Sequence, residues 1–393
     1  MAAIPRLREY RGPAVLSYGF RPFYLLGSLF AGLGILIWLP VFAGTLELSS
    51  HFIGRDWHVH EMLYGYLAAI ITGYLMTALP NWTGKLPAQG GPLLVLLFAW
   101  LAGRVAVALS AHIGWLAALV IDNAFILLVA LAAGREIVAG KNWQNLKVVV
   151  ALAVLFAGNL IFHIEAHTQG VADVGMRIGI AVVIGLIMLI GGRIIPSFTR
   201  NWLARQKPGP MPATIGPLDT ANTAFAIAVL CLWVAVPYGP IPAAALLAAG
   251  VLQVVRLVRW VGYRTWGNPL VLIMHLAYAF VPAGFVLVGL SAFGTVPPTA
   301  GLHAWTAGAM GAMTLAVMSR TSLGLTGRPR VASVSTQILY ALVIFGALAR
   351  VWSAVDVSSG TALLHAAGGA WAAAFLGFAV VYWPVLTGPR PGR

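Results

Sequence analysis

The feature that most constrains this chain is a succession of apolar runs, each about as long as a bilayer core is thick. A hydrocarbon layer of about 30 Å takes about 20 helical residues to cross. Twelve runs meet that length, near residues 20–43, 58–79, 92–110, 112–133, 146–164, 171–192, 219–237, 240–260, 268–292, 303–319, 335–354 and 361–384. Backbone polar groups inside lipid must be satisfied within the segment, so runs of this kind become helices. The expected fold is an all-α, polytopic transmembrane helical bundle of about twelve spans, with residues 1–393 forming a single transmembrane domain. Composition agrees: 9% of residues are charged, against about 25% in soluble domains. The first run, Phe23 to Ala43, is too long for a signal peptide and has many successors, so it reads as a retained span.

An even span count places both termini on one side. Of the 24 Lys and Arg, 20 fall on that side, among them Arg6, Arg8, Arg11, Arg21, Lys85, Arg135, Arg193, Arg200, Arg256, Arg320, Arg390 and Arg393. Arg55, Arg104, Arg177 and Arg350 are the exceptions. The positive-inside rule then puts both termini in the cytoplasm, and in a bacterial inner membrane, the expected location, the opposite face is periplasmic. The formal net charge of +14 is therefore loop charge that sets topology and meets membrane lipid. With no basic stretch outside the loops, no nucleic-acid partner is expected.

This topology gives the histidines an address. His51, His58, His60, His112, His163, His167, His303 and His365 fall at or near the periplasmic face, and only His275 lies deep in a span. Neutral imidazole is the commonest protein metal ligand, and ionisable groups in a bilayer are costly enough to mark function. The densest knot is Trp57-His58-Val59-His60-Glu61-Met62. On a helix, His58 and His60 stand about 200° apart and cannot chelate one ion. The same spacing puts Glu61 on the His58 face, where a carboxylate can fix an imidazole's tautomer. His163 shares a face with His167 only if the helix persists past Ile164, and His167 is expected in the loop. His303 opens the tenth span.

Arg104 and Asp122 lie within the third and fourth spans and should face the protein interior. They form an ion pair, or Arg104 holds an anionic group such as a haem propionate. Arg55, Arg177 and Arg350 are alternatives for the latter role. Gly191 to Trp202, which contains Arg193, and Arg320-Thr321-Ser322 follow the sixth and tenth spans. They bind an anion or snorkel to lipid. The loop near residues 193–218 carries Pro196, Pro208, Pro210, Pro212 and Pro217, which argues against helix throughout. Cys231 is the only cysteine, so intrachain disulfides, iron–sulfur clusters and Cys-x-x-Cys-His haem attachment are excluded. No nucleotide-binding glycine loop and no nucleophile elbow occurs.

Several segments together resemble the NnrS family of bacterial membrane proteins. They are Phe20-Arg21-Pro22-Phe23, Trp57 to Gly65, Thr77 to Gly84, Gly158 to His163, Gly191 to Asn201 and Thr314 to Arg320. The resemblance implies twelve spans, non-covalent (b-type) haem, copper, and a link to nitric oxide metabolism and resistance to nitrosative stress. It carries over to His58, His60, Glu61, His163, Arg193, Arg200, His303 and Arg320, and to His275 within Met274 to Tyr278. His51, His112, His167 and His365 match none of its motifs. Leu325 stands where relatives are expected to have histidine.

The sequence therefore predicts a haem/copper protein meeting nitric oxide or a derived species. Its metal ligands are drawn from His60, His303, His163, His58 and His275, and its cofactor-binding cations from Arg104, Arg193 and Arg320. A transporter of a small solute, metal or nitrosyl–iron species is the rival reading, and a non-catalytic sensor the third.

Overall fold

The computed structural model describes residues 10–84, 86–356 and 358–391. Its regular structure is helical, and no strand occurs among the described residues. Four of the topological charges, on Arg6, Arg8, Lys85 and Arg393, lie outside the described residues.

Eleven helices are long and apolar enough to cross a membrane, so this is a multi-pass membrane protein. In chain order they are α1 (Phe20–Phe42), α2 (Gly54–Thr83), α3 (Gly91–Ala108), α4 (Trp115–Ala139), α5 (Trp143–Gln169), α6 (Asp173–Leu203), α7 (Pro217–Ala235) and α8 (Pro240–Arg264). Then follow α9 (Pro269–Ser291), α11 (Val334–Val355) and α12 (Gly360–Thr387). The expected tenth span is helical as well, from Pro298–His303 through Ala304–Gly311 to Ala312–Leu325, and is called α10. It is not among the eleven. Its middle, Ala304-Trp305-Thr306-Ala307-Gly308-Ala309-Met310-Gly311, is rich in small and weakly polar residues.

Two expectations about helix ends are corrected. Helix α6 runs on to Leu203 with Pro196 inside it, past the expected end near 192, while residues 204–216, which hold Pro208, Pro210 and Pro212, are not helical, as the prolines predicted. A wide π turn at Ile187–Gly191 comes just before. Local π adjustments are one way a membrane helix accommodates a proline. Helix α5 runs to Gln169, so His167 is helical and stands one turn beyond His163. Gly170, at φ +79°, stops the helix in the left-handed region.

The chain divides into two compact units. One comprises Met1–Gly179, Ser322–Arg328 and Phe378–Arg393; the other comprises Ile180–Thr321 and Pro329–Gly377. In the first, α1 packs on α2, α2 on α4, α3 on α4, and α4 on α5. Close approach depends on glycine. A Cβ at Gly158 would sit 2.7 Å from the Tyr64 hydroxyl and one at Gly179 2.9 Å from it. That clearance lets Tyr64 cross to donate a 2.6 Å hydrogen bond to the Gly175 carbonyl. The Phe20-Arg21-Pro22-Phe23 motif is also architectural. Buried Arg21 donates to the carbonyls of Leu386 (3.1 Å) and Gly388 (2.8 Å), satisfying acceptors that the end of α12 leaves open.

In the second unit α7 packs on α8, α8 on α9, and α9 and α11 on α10. Buried Arg256 donates to the Met188 carbonyl (3.2 Å), inside the π turn of α6, and to the Tyr278 hydroxyl (3.0 Å). Tyr278 in turn donates to Gln253 Oε1 at 2.6 Å. The Met188 carbonyl, which also accepts from the Gly192 N–H, thus gains a second donor from the neighbouring helix.

Candidate metal centre

The first unit encloses a cluster of ionisable side chains drawn from four spans. His60 and Glu61 come from α2, Arg104 from α3, Asp122 from α4, and Asn159 and His163 from α5. Each is less than a tenth exposed, and His60 and Asn159 are fully buried. Such a set survives in an apolar interior only if its members satisfy one another.

Asp122 is the hub. Its Oδ2 lies 3.1 Å from His60 Nε2 and 3.1 Å from His163 Nε2, and it accepts a 2.7 Å hydrogen bond from Asn159 Nδ2. Its Oδ1 accepts from Arg104 Nη2. Arg104 Nη1 donates to Glu61 Oε1 at 2.5 Å, so the intramembrane pairing expected of Arg104 and Asp122 is present and extends to a second carboxylate. Two glycines leave room for it. A Cβ at Gly65 would sit 2.5 Å from Arg104 Nη1, and one at Gly103 would sit 2.9 Å from Asp122 Oδ1.

The surroundings of His60 decide what the cluster can do. Its Nδ1 lies 3.0 Å from Glu61 Oε1, and its Nε2 faces both Asp122 Oδ2 and the Asn159 Oδ1 at 2.9 Å. Acceptor oxygens therefore face both ring nitrogens, whereas a neutral imidazole carries only one N–H. Either His60 is an imidazolium, or it donates from Nδ1 and its Nε2 lone pair faces a cation. Formal charge points the same way, because two carboxylates and one guanidinium leave one negative charge in excess. The arrangement calls for one more positive charge, a proton or a metal ion.

His60, Asp122 and His163 also meet the geometric requirement for a shared ion, since their ligand atoms all lie within 4.8 Å of one another. Two imidazole nitrogens and a carboxylate oxygen suit copper, zinc or iron. The fit to haem is poor. The His60 and His163 ring centroids are 5.0 Å apart, both Nε2 atoms converge on one carboxylate oxygen, and Phe52, Phe162 and Tyr64 pack around His60. A macrocycle has no space between these groups, whereas a single ion does.

A family model described as NnrS protein matches residues 14–390. The chain belongs to the NnrS family. A search of curated proteins finds no match. The NnrS motifs can now be placed: those around His60, Gly158 and His163 build the centre, while those around Phe20 and Thr77 meet each other, Phe20 N–H donating to Thr77 Oγ1 at 3.2 Å.

Not every expected ligand of this NnrS protein joins the cluster. His58 is set apart from His60, as the helical spacing requires, with its ring 4.3 Å from that of Trp38. Glu61 engages His60, its chain neighbour, through Nδ1, at the residue where the helix changes from α to π winding, which continues to Leu67. His303 and His275 belong to the second unit. His303 Nδ1 lies 2.8 Å from the Thr299 carbonyl, one turn back in its own helix. Buried His275 has Nε2 2.8 Å from Thr199 Oγ1. Because that hydroxyl also lies 2.8 Å from the Ile195 carbonyl and donates to it, it accepts from His275. Arg193 is exposed, and the Arg320 guanidinium lies 3.9 Å over the Phe198 ring.

Sequence reasoning left Asp122 out of the ligand list and gave Asn159 no role. The signal for Asp122 was present, since a carboxylate in the middle of a span is rare and needs a reason. Nothing in the sequence showed that α4 carries it to His60 and His163.

Proposed function

We propose that this NnrS protein binds a transition-metal ion, copper by preference, between His60, His163 and Asp122, and that it acts there on nitric oxide or a derived species. The observation that carries the reading is His60, whose two ring nitrogens both face acceptor oxygens inside a buried cluster short of one positive charge. Copper accepts imidazole and carboxylate ligands, and family membership supports the nitric oxide link. When bound, the ion would supply one-electron chemistry and a coordination position for a small diatomic ligand.

The chain's own residues supply the rest. Glu61 accepts the His60 Nδ1 proton and so holds Nε2 as the ligating nitrogen, a familiar outer-shell role. Arg104 bridges Glu61 and Asp122 and fixes both carboxylates in place. Asn159 pins the Asp122 carboxylate through Oδ2. Phe52, Phe162 and Tyr64 exclude water from the imidazoles, which strengthens every charge interaction among them.

The b-type haem implied by the family needs another location, and His303 and His275 are the histidines proposed for its iron. Arg193 and Arg320 are proposed as partners for its anionic groups. In this reading both termini face the cytoplasm of a bacterial inner membrane, so the start of α2 and the end of α5 bring the centre toward the periplasmic side.

The test is metal analysis and electron paramagnetic resonance of the purified protein, with and without nitric oxide. One copper per chain is expected, with nitrogen couplings from two imidazoles and a signal perturbed by nitric oxide. His60→Ala, His163→Ala and Asp122→Asn should each remove it. Copper retained in all three variants would overturn the assignment.

A further inference from the structure

A second pair of histidines stands beside the buried centre. His51, on the segment before α2, and His167, in the last turn of α5, are both exposed. His51 Nε2 and His167 Nδ1 approach to 3.3 Å. At this distance the two nitrogens can share a hydrogen bond when one carries the proton and the other the lone pair. Two nitrogens held by one tetrahedral ion at about 2.0 Å lie about 3.3 Å apart. The spacing observed also matches a ligand edge.

Both rings are held in place. The His167 ring stacks on the Trp115 indole, with centroids 4.1 Å apart and planes 13° from parallel. The His51 backbone N–H donates to Ser110 Oγ at 2.7 Å, and the Ala111 N–H donates to the Ser49 carbonyl at 3.0 Å. This anchors the His51 segment to the turn before α4. An imidazole pair with this much support loses little freedom on taking up an ion.

The pair is also connected to the centre. His167 lies one helical turn from His163. The residue after His51 is Phe52, which is buried, with its ring centroid 4.9 Å from those of both His60 and His163. Phe52 thus packs on both buried imidazoles and is the chain neighbour of one exposed imidazole.

We propose that His51 and His167 form a second, exchangeable metal site that captures a borderline transition-metal cation and passes it beneath Phe52 to the buried centre. The relay rests on the reading of His60, His163 and Asp122 as metal ligands; the capture site does not. Two imidazoles leave the remaining positions of a tetrahedral ion to water, so this site should exchange quickly. The enclosed one should exchange slowly.

The experiment uses the full chain in detergent, stripped of metal, with zinc as a redox-silent probe. Bound zinc is counted after gel filtration, and uptake is followed with a chromophoric chelator. Wild type should bind two ions, one released quickly. The double variant His51→Gln/His167→Gln should lose the fast ion and fill the buried site at least tenfold more slowly. Phe52→Ala should speed that filling. His60→Ala/His163→Ala should lose only the slow ion.

Retention of the fast ion by His51→Gln/His167→Gln would overturn the capture site, and unchanged filling in that variant would overturn the relay. Full zinc content in His60→Ala/His163→Ala would instead overturn the buried centre and leave the surface pair standing. His51 and His167 are exposed, so their variants should keep the wild-type gel-filtration profile, and Phe52→Ala gives a second readout of the relay.

Discussion

Replacing Arg104 by Met tests the charge accounting of the centre. Met keeps most of the buried stem and removes the guanidinium that bridges Glu61 and Asp122. Two carboxylates, each no more than 2% exposed, then lose their fixed countercharge. Removing one partner of a buried ion pair costs about 3–5 kcal/mol, chiefly because the other charge is left uncompensated. Here two charges are left, so the metal-free protein should sit at the upper end of that range. A divalent ion between His60, His163 and Asp122 returns positive charge to the same place, so the loaded protein should lose much less. Thermal unfolding followed by tryptophan fluorescence, with and without excess zinc, measures both states. Metal should therefore raise the midpoint of Arg104→Met by several degrees more than that of wild type, because ligand stabilisation adds to a weakened apo state. Arg104→Lys, which keeps the charge, should fall between them. An equal loss in both states would refute the argument and mean that Arg104 matters for packing alone.

Asp122→Asn deletes both the shared ligand and one of the two carboxylates that Arg104 bridges, so metal-free stability should fall by about 3–5 kcal/mol in thermal unfolding and metal affinity by at least tenfold in equilibrium dialysis. Tyr64→Phe removes the hydrogen bond to the buried Gly175 carbonyl and should cost about 1–3 kcal/mol in unfolding measurements. Gly158→Val places side-chain atoms where Tyr64 and Ile178 already sit. Its overpacking cost is about 1–3 kcal/mol, with reduced metal occupancy as His163 is displaced. Asp356 lies between α11 and α12, where Ser358 Oγ, Ser359 Oγ and the Ser358 N–H donate to its carboxylate and hold its pKa down to about 2. A depressed carboxyl stabilises the fold above its unfolded value of about 3.9 and loses that contribution as pH falls through its folded value. Asp356→Asn should thus melt earlier than wild type at pH 6, and the gap should close toward pH 2.

What the sequence determined by itself is mostly what a bilayer imposes. Runs of about 20 apolar residues can only become helices where no water competes for the backbone, so the spans were legible to within a few residues at most ends. The exceptions have local causes. Helix α6 absorbs Pro196 behind a π turn, α5 continues through His167, and α10 is helical without being strongly apolar. The helical period likewise separated His58 from His60, because angular position on one helix is a local property.

The tertiary structure alone decided which distant residues meet. His60, Asp122, Asn159 and His163 come from three spans, and their convergence depends on how those helices pack around glycines such as Gly65, Gly103 and Gly158. A one-dimensional pattern carries no such angle. The same holds for His51 and His167, which match no family motif and lie 3.3 Å apart in the fold. Hydropathy fixes where a residue lies in depth, and packing fixes which neighbour it finds there. The centre of this NnrS protein is a matter of packing.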